Sequence, residues 1–265
     1  MTKQKRLARI YSGIKNLKIQ GASNIARAAI EAYALKPDKE NENILKRLRP
    51  TEPMLINSIN FFKKYGKERV LKHFNEAQSR INKLVLRLIK NGMIIYTHCH
   101  STNVVKALIY AKKHGKKFLV YNTETRPLYQ GRITSKELAE AGIKVVEWVD
   151  AAMDSAIGKA DIVFLGSDAI LKDGVINKIG SGAIAKISYL KKKPLYIVAD
   201  SWKFSPKRVW IEERNFKEVW KNAPKGIRIK NPAFEKVDKK YIKGIVSELG
   251  ILKFDSFVKR AEKNL

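Results

Sequence analysis

The sequence has a single cysteine, Cys99, and no long uninterrupted apolar run. One cysteine excludes an intramolecular disulfide and suits a reducing compartment. No stretch approaches the roughly 18 apolar residues of a membrane-spanning helix. The segment 1–15 is basic but lacks an apolar h-region, so we expect no secretory signal. These absences favour a globular protein of the cytoplasm that does not enter a membrane.

Acidic residues are also scarce, since 25 Asp and Glu stand against 54 Lys and Arg and leave a net charge of +29. Such a surplus suggests polyanionic or phosphorylated partners. The lysines are spread along the whole chain, however, with no basic tail, zinc-finger spacing or aromatic-interleaved RNA-binding signature. A generally cationic surface is therefore favoured over a dedicated nucleic-acid site.

The hydrophobic pattern divides the chain in two. Residues 1–90 have helical periodicity throughout, whereas 91–265 alternate between short apolar runs and helical stretches. The runs 93–96, 118–121, 144–148, 161–165 and 195–199 are predicted strands separated by helices. This spacing predicts the α/β class, with an N-terminal all-helical domain followed by a Rossmann-like doubly wound parallel sheet. We also predict a late strand at 227–229 and a closing helix at 241–249.

Several chemically capable side chains follow predicted strands. Cys99 comes directly after the first strand, and Asp168 follows the apolar run 161–165, which is typical of a central strand. Ligands of open α/β sheets bind at the carboxyl ends of strands, so a thiol and a carboxylate at this edge could together move protons. The segment 177–182 is predicted to open a helix with free backbone N–H groups, an anion site. A cysteine near arginines is expected to have a lowered pKa.

Two alternatives concern the same loops. His98, Cys99 and His100 are metal-ligand types, but adjacent residues on a turn rarely converge on one ion, so we expect no metal. The loop after the second strand contains Arg126 and Gln130, and an arginine fork matches phosphate oxygens. Phosphate therefore remains the better expectation for this edge of the sheet.

Six motifs along almost the whole chain resemble one protein family, which contains ribose-1,5-bisphosphate isomerase, methylthioribose-1-phosphate isomerase and the regulatory subunits of translation initiation factor 2B. These motifs are Arg49-Pro50-Thr51, Thr97-His98-Cys99, Glu124-Thr125-Arg126-Pro127 with Gln130-Gly131, Gly166-Ser167-Asp168-Ala169-Ile170, Ile176-Asn177-Lys178-Ile179-Gly180 and Asn231-Pro232-Ala233-Phe234. The run NTETRPLYQGRITSKEL, 122–138, is most similar to the archaeal ribose-1,5-bisphosphate isomerases.

The resemblance implies roles for particular residues. Cys99 and Asp168 would be the catalytic pair of an aldose–ketose isomerase. The implied substrate-binding residues are Gly21, Ala22, Arg49, Arg126, Gln130, Asn177, Lys178 and Lys203. The resemblance further implies no redox cofactor, a sugar-phosphate substrate, a nucleotide as activator, and a homo-oligomer that is a dimer or a hexamer built as a trimer of dimers.

One departure from the family pattern keeps alternatives open. The isomerases tend to have Arg-Gly-Ala in the first loop, whereas this chain has Gln20-Gly21-Ala22 and so lacks a cation expected to meet a substrate phosphate. A non-catalytic binding protein like the initiation factor 2B subunits is the main alternative. Methylthioribose-1-phosphate isomerase is the second, and an apolar pocket near the substrate's C5 would favour it.

Overall fold

The fold is described by a computed structural model that covers residues 1–16, 18–19, 21–211 and 213–264. The helices are α1 Lys3–Lys15, α2 Ala22–Leu35, α3 Lys39–Leu48, α4 Pro53–Leu88, α5 Thr102–Lys113, α6 Gln130–Glu140, α7 Met153–Lys159, α8 Ser181–Leu190 and α9 Phe254–Asn264. The strands are β1 Ile94–His98, β2 Leu119–Thr123, β3 Lys144–Trp148, β4 Ile162–Leu165, β5 Ala169–Ile170, β6 Gly174–Lys178, β7 Leu195–Val198, β8 Phe234–Asp238, β9 Gly244–Ser247 and β10 Gly250–Leu252. In the described part of the chain, no helix combines the length and apolarity needed to span a membrane.

Helices α1 to α4 form the N-terminal helical layer. The Asp38 carboxylate caps α3 by accepting the backbone N–H of Asn41 at 2.8 Å. Helix α4 breaks at Gly66, whose φ of 81° is a left-handed conformation that glycine adopts without strain. Its buried side chains from Met54 to Phe74 pack in the helical core with α2, whereas Ile81 and Val85 pack on the sheet. Since α4 belongs to both layers, the division at residue 90 remains a prediction.

The main sheet has seven strands in the order β10-β9-β7-β4-β1-β2-β3. All neighbouring pairs are parallel except β9 with β10. One face is covered by α7, α8 and α9, and the other by α4, α5 and α6. Strand β4 lies at the centre and is buried along its whole length, as expected for a parallel strand covered on both faces. The predicted fold class is confirmed.

A second sheet was not predicted. Strands β5, β6 and β8 form an antiparallel sheet in the order β5-β6-β8 beside the carboxyl edge of the main sheet. Asn177 and Lys178 end β6, where they pair with Glu235 and Phe234 of β8. The prediction that they open a helix is therefore wrong. The pairing joins segments more than 50 residues apart, so no local pattern indicates it.

The predictions for the C-terminal segment are also wrong in two places. The residues 227–229 have no regular structure, and the region predicted as a closing helix contains strand β9, which pairs in parallel with β7. The closing helix is α9 instead. The run Gly244–Ser247 is short and fully buried, and periodicity alone cannot separate such a run from a piece of buried helix.

Candidate active site

One cavity of about 340 Å³ opens at the carboxyl ends of β1, β4 and β7, where the helical layer closes over the sheet. This volume lies within the range of about 300–1,000 Å³ that is typical of small-molecule sites. The cavity is lined by Lys18, Gly21, Ala22, Ser23, Asn24, Arg49, Glu52, Cys99, His100, Ser101, Thr102, Gln130, Ile133, Ser167, Asp168, Asn177, Lys178, Lys203, Arg214 and Phe234. Nine of the ten catalytic and substrate-binding residues that the family resemblance implies are among them.

Cys99 occupies a constrained turn after β1. Its φ of 64° is unusual for a residue with a side chain, and such conformations persist only where the surroundings impose them. Its backbone N–H donates to Thr125 Oγ1 at 2.9 Å, and its carbonyl accepts the hydroxyl of Thr134 at 2.8 Å. These two bonds hold the turn, and the half-buried thiol faces the cavity.

The electrostatic prediction for Cys99 is wrong. Burial raises the pKa of the thiol to about 11, and this effect outweighs the Lys178 ammonium, which lowers it. The carboxylate of Asp168 raises the pKa further. With a pKa of about 11, Cys99 is a thiol rather than a thiolate at neutral pH.

The histidines on either side of Cys99 do not converge with it. His98 Nε2 lies 2.9 Å from the Ile179 carbonyl and Nδ1 lies 2.6 Å from Thr123 Oγ1, while burial lowers the pKa of the ring. Neutral His98 thus donates from Nε2 and has both nitrogens occupied. His100 turns toward α6, with Nδ1 3.1 Å from Thr134 Oγ1. Among the described residues, no metal-ligand cluster includes either histidine or Cys99.

Asp168 and Lys203 line the same cavity from different strands. The backbone N–H of Asp168 donates to the Ile176 carbonyl at 2.9 Å, which fixes the turn after β4 against β6. Lys203 follows β7 and is only 5% exposed. Burial lowers the pKa of its ammonium group, whereas the nearby carboxylates of Asp168 and Glu52 raise it. The net effect is a lowered pKa, and the Lys203 amine lies close to both acids.

The start of α8 does not form the predicted anion site. The Glu235 carboxylate accepts the backbone N–H groups of Gly180 at 2.6 Å and Gly182 at 2.9 Å, so the protein itself supplies the anion. Asn177 donates to Ser181 Oγ at 2.8 Å, and the Lys178 ammonium lies 5.0 Å from the centre of the Phe234 ring. Asn177 and Lys178 reach the cavity from β6 instead.

The N-terminal layer closes the other side of the cavity. Helix α2 begins after Gly21, whose φ is 82°, and no side chain of the residues that the structure describes caps its first N–H groups. Gln20, the departure from the family pattern, lies outside the described residues. Arg49 is 7% exposed, and its Nη2 donates to Glu52 at 3.4 Å. The start of α2 and the Arg49 guanidinium therefore both present positive potential to the cavity.

Within the described part of the chain, the buried cavity atoms Arg49 Nε, Ser101 Oγ and Gln130 Oε1 have no hydrogen-bond partner. An unpaired buried donor or acceptor is costly, and native proteins pair most of them. Their concentration around one cavity is accounted for if a polar ligand completes these bonds.

Arg126 is the predicted site residue that does not line the cavity. Its backbone N–H and that of Thr125 donate to the Asp150 carboxylate at 2.6 Å and 2.9 Å. The side chain is exposed, and its guanidinium donates to the Tyr129 hydroxyl and, at 3.3 Å, to the Val219 carbonyl. The loop geometry thus turns this arginine away from the other cations.

Sequence reasoning missed further cavity residues, notably Glu52 and Arg214. Glu52 directly precedes Pro53 at the start of α4, which is a helix-start signal and not a sign of chemistry. Arg214 belongs to an irregular segment, where its backbone N–H donates to the Asn231 carbonyl at 2.9 Å and its Nε lies 2.9 and 3.0 Å from the Glu218 carboxylate oxygens. No periodic pattern could have located Arg214.

Comparisons with known proteins match almost the whole chain. A ribose 1,5-bisphosphate isomerase from Methanocaldococcus jannaschii is 38% identical over 241 residues, which cover 79% of this chain and 78% of that protein. A putative translation initiation factor eIF-2B subunit 2-like protein from Pyrococcus furiosus is 30% identical over 271 residues, which cover 93% of this chain and 96% of that protein.

Solved structures agree with the fold. The translation initiation factor eIF-2B of Pyrococcus horikoshii OT3 superposes with a TM-score of 0.84 at 29% identity, covering 94% of this chain and 97% of that one. The 5-methylthioribose 1-phosphate isomerase of the same organism has a TM-score of 0.80 at 23% identity, covering 98% and 88%, which shows a common fold. The family model of the initiation factor 2 subunits matches residues 18–254. The chain therefore belongs to the initiation factor 2 subunit family.

Proposed function

We propose that this chain is an aldose–ketose isomerase that converts ribose 1,5-bisphosphate into ribulose 1,5-bisphosphate. The observation that carries the proposal is the meeting of Cys99 and Asp168, from the ends of two different strands, in one cavity with a cationic lining. The relative from M. jannaschii bears the name of this activity and is 38% identical. Fold alone would not decide the function, because related folds host many activities.

The charge of the cavity supports a substrate with two phosphates. By formal charge, the lining contains five basic and two acidic residues, an excess of three positive charges. The basic residues are Lys18, Arg49, Lys178, Lys203 and Arg214, and the acidic ones are Glu52 and Asp168. Helices α2 and α5 both begin at the cavity, and no side chain of the described residues caps either helix, so their N–H groups can donate hydrogen bonds to phosphate oxygens. Apolar side chains are few in the lining, which disfavours a methylthio substituent at C5.

A balanced reaction follows from one acid and one base. Cys99 first passes its thiol proton to the Asp168 carboxylate. Asp168, now the carboxylic acid, gives that proton to the ring oxygen as the bond from C1 to that oxygen breaks, and the Cys99 thiolate takes the proton from C2. An enol phosphate with a double bond between C1 and C2 forms. The Asp168 carboxylate then takes the proton of the C2 hydroxyl, and Cys99 returns its proton to C1. The ketone forms at C2, and return of the proton from Asp168 to Cys99 restores the starting protonation of both groups.

The test is a direct assay of ketose formation from ribose 1,5-bisphosphate and from methylthioribose 1-phosphate. Turnover of the first, lost in Cys99→Ser and Asp168→Asn, is expected. Asp154→Asn is the matched control, because its carboxylate is exposed and pairs with Lys191 outside the cavity. Parental turnover in either cavity variant would refute the mechanism.

Two arginines test the placement of the substrate phosphates. Arg49→Ala removes a buried cavity cation and should raise KM for the bisphosphate at least tenfold, since a hydrogen bond to a charged group contributes about 1.5–3 kcal/mol. Arg126→Ala removes an exposed guanidinium outside the cavity lining and should leave KM within about twofold, the scale of exposed-charge effects. An equal effect of both substitutions would contradict this placement.

A non-catalytic binding protein is the second candidate, and the likeness to the P. furiosus initiation-factor protein over 93% of the chain favours it. Absence of turnover, together with tight binding of a sugar phosphate or nucleotide, would make this candidate the better one. For either function we propose a cytoplasmic homo-oligomer, a dimer or a trimer of dimers, with a nucleotide activator for the enzyme. Analytical ultracentrifugation with and without the nucleotide tests that assembly.

A further inference from the structure

A cluster outside the cavity lining joins the helical layer to the sheet. His73 lies on α4, Asp200 follows β7, and Glu248 follows β9. One ligand atom from each of the three side chains lies within 4.8 Å of the other two. His73 Nε2 and Asp200 Oδ1 are 3.1 Å apart. Three elements that are distant in sequence thus direct an imidazole nitrogen and two carboxylates to one point.

The cluster places two carboxylates beside one imidazole. Asp200 pairs with His73, and among the described residues no lysine or arginine forms an ion pair with either carboxylate, although the charges of Arg27 and Lys203 act on Asp200 from further away. Asp200 is 2% exposed, so water screens its charge poorly. A bound cation would compensate this charge directly.

The ligand side chains are held in place by groups that leave their remaining lone pairs available. The His73 ring stacks on Trp202 with 3.7 Å between centroids and 5° between planes. The Trp202 backbone N–H donates to Asp200 Oδ1 at 2.9 Å, and Ser201 donates its backbone N–H to Glu248 Oε2 at 3.1 Å. Carboxylate oxygens have two lone pairs each, so these bonds do not exhaust the acceptors.

We propose that His73, Asp200 and Glu248 form a binding site for a divalent transition-metal ion, with Zn²⁺ as the best match. Imidazole nitrogen and carboxylate oxygen are both zinc ligands, and three protein ligands with water in the fourth position form a common open site. Tetrahedral ligands lie about 3.4 Å apart, so the most distant pair must approach by up to about 1.4 Å, which carboxylate rotation can supply.

The ion would join α4 to the turn Ser201–Lys203, which carries a cavity lysine. Sequence analysis expected no metal because it considered only the adjacent residues 98–100. The three ligands proposed here come from separate parts of the chain and match no ligand-spacing motif. The site lies apart from the proposed catalytic pair, so it would stabilise the contact between the two layers rather than take part in the reaction.

The experiment uses the full chain, dialysed against a chelator and titrated with Co²⁺, whose visible absorption reports ligation. One Co²⁺ per chain, displaced by Zn²⁺, is expected. His73→Gln and Glu248→Gln should each weaken binding at least tenfold, since even the loss of an outer-shell partner costs about 10–100-fold. His114→Gln is the matched control, because that ring is exposed and stacks on Tyr110. Cys99→Ser should also keep the binding.

Absence of Co²⁺ binding by the parent chain would overturn the proposal. Parental affinity in both His73→Gln and Glu248→Gln would do so as well, because the ion would then lie elsewhere. A second measurement does not require either variant to fold. Zn²⁺ should raise the melting temperature of the parent and of His114→Gln, since a ligand that binds only the folded state stabilises it. An unchanged melting temperature refutes the site.

Discussion

The reactivity of Cys99 should follow its buried surroundings, and its dependence on pH is a quantitative prediction. The ordinary pKa of the thiol is 9.0, and in the folded chain it is raised to about 11. At pH 8 the thiolate fraction then falls from about 9% to about 0.1%, a roughly hundredfold decrease that corresponds to about 2.7 kcal/mol. Alkylation requires the thiolate, so it should be about a hundred times slower than in the unfolded chain.

The measurement is alkylation by iodoacetamide from pH 7 to pH 10, followed by mass spectrometry. Cys99 is the only cysteine, so one modified site reports the whole reaction. The rate should rise about tenfold per pH unit without reaching a plateau, because the titration midpoint lies above the range. The chain unfolded in urea provides the reference for intrinsic reactivity.

Two substitutions should shift the alkylation rate in opposite directions. Asp168→Asn removes a carboxylate that raises the pKa of Cys99, so alkylation at pH 8 should become faster even though turnover is lost. Lys178→Met removes the ammonium that lowers the pKa, so alkylation should become slower. Asp154→Asn, outside the cavity, should change nothing. A plateau by pH 8.5, or the opposite order of the two variants, would refute the electrostatic reasoning.

Two stability predictions rest on local contacts. Burial would raise the pKa of Glu42, but hydrogen bonds from two lysines outweigh it and lower the pKa from 4.5 to about 2. A folded-state pKa below the unfolded value stabilises the fold above pH 4.5, and this effect is lost as pH falls toward 2. Glu42→Gln should therefore cost up to about 3 kcal/mol in urea unfolding at pH 7 and less than half of that at pH 3. A Cβ at Gly131 would lie 1.8 Å from the Thr123 carbonyl oxygen, so Gly131→Ala should cost at least about 1–3 kcal/mol and lower the melting temperature by several degrees. Gly158→Ala, whose nearest contact would be 3.5 Å, is the control and should not lower it. If Glu42→Gln costs the same at pH 7 and pH 3, the assignment of its pKa is wrong. If Gly131→Ala and Gly158→Ala have the same melting temperature, the assignment of the close contact at Gly131 is wrong.

The sequence predicted the parts of the fold that local pattern determines. The apolar run that became β4 is recognisable because a strand covered on both faces must be apolar throughout. Alternation of such runs with helices predicted a parallel sheet. A sheet of that kind places strand ends at one edge, and Cys99 and Asp168 indeed line the same cavity there.

Predictions failed where a distant segment decides the local structure. The residues 177–182 resemble the start of a helix with free N–H groups. Instead, Asn177 and Lys178 pair with β8, and the Glu235 carboxylate accepts the N–H group of Gly182. The run that forms β9 could equally belong to a helix, and only pairing with β7 makes it a strand. Such pairings come from chain closure over tens of residues, which no local window contains.

The sequence by itself thus determined the fold class, the family and the positions of the thiol and carboxylate along the strands, because all of these depend on periodicity and motif. Tertiary structure alone decided the pKa of Cys99, since burial depends on everything packed around the thiol. The tertiary structure also decided that Arg126 lies outside the cavity lining and that Arg214 is part of it. It likewise brought His73 into contact with Asp200. Charge and geometry at a site depend on which distant groups meet there, and this follows only from the packing of the whole chain.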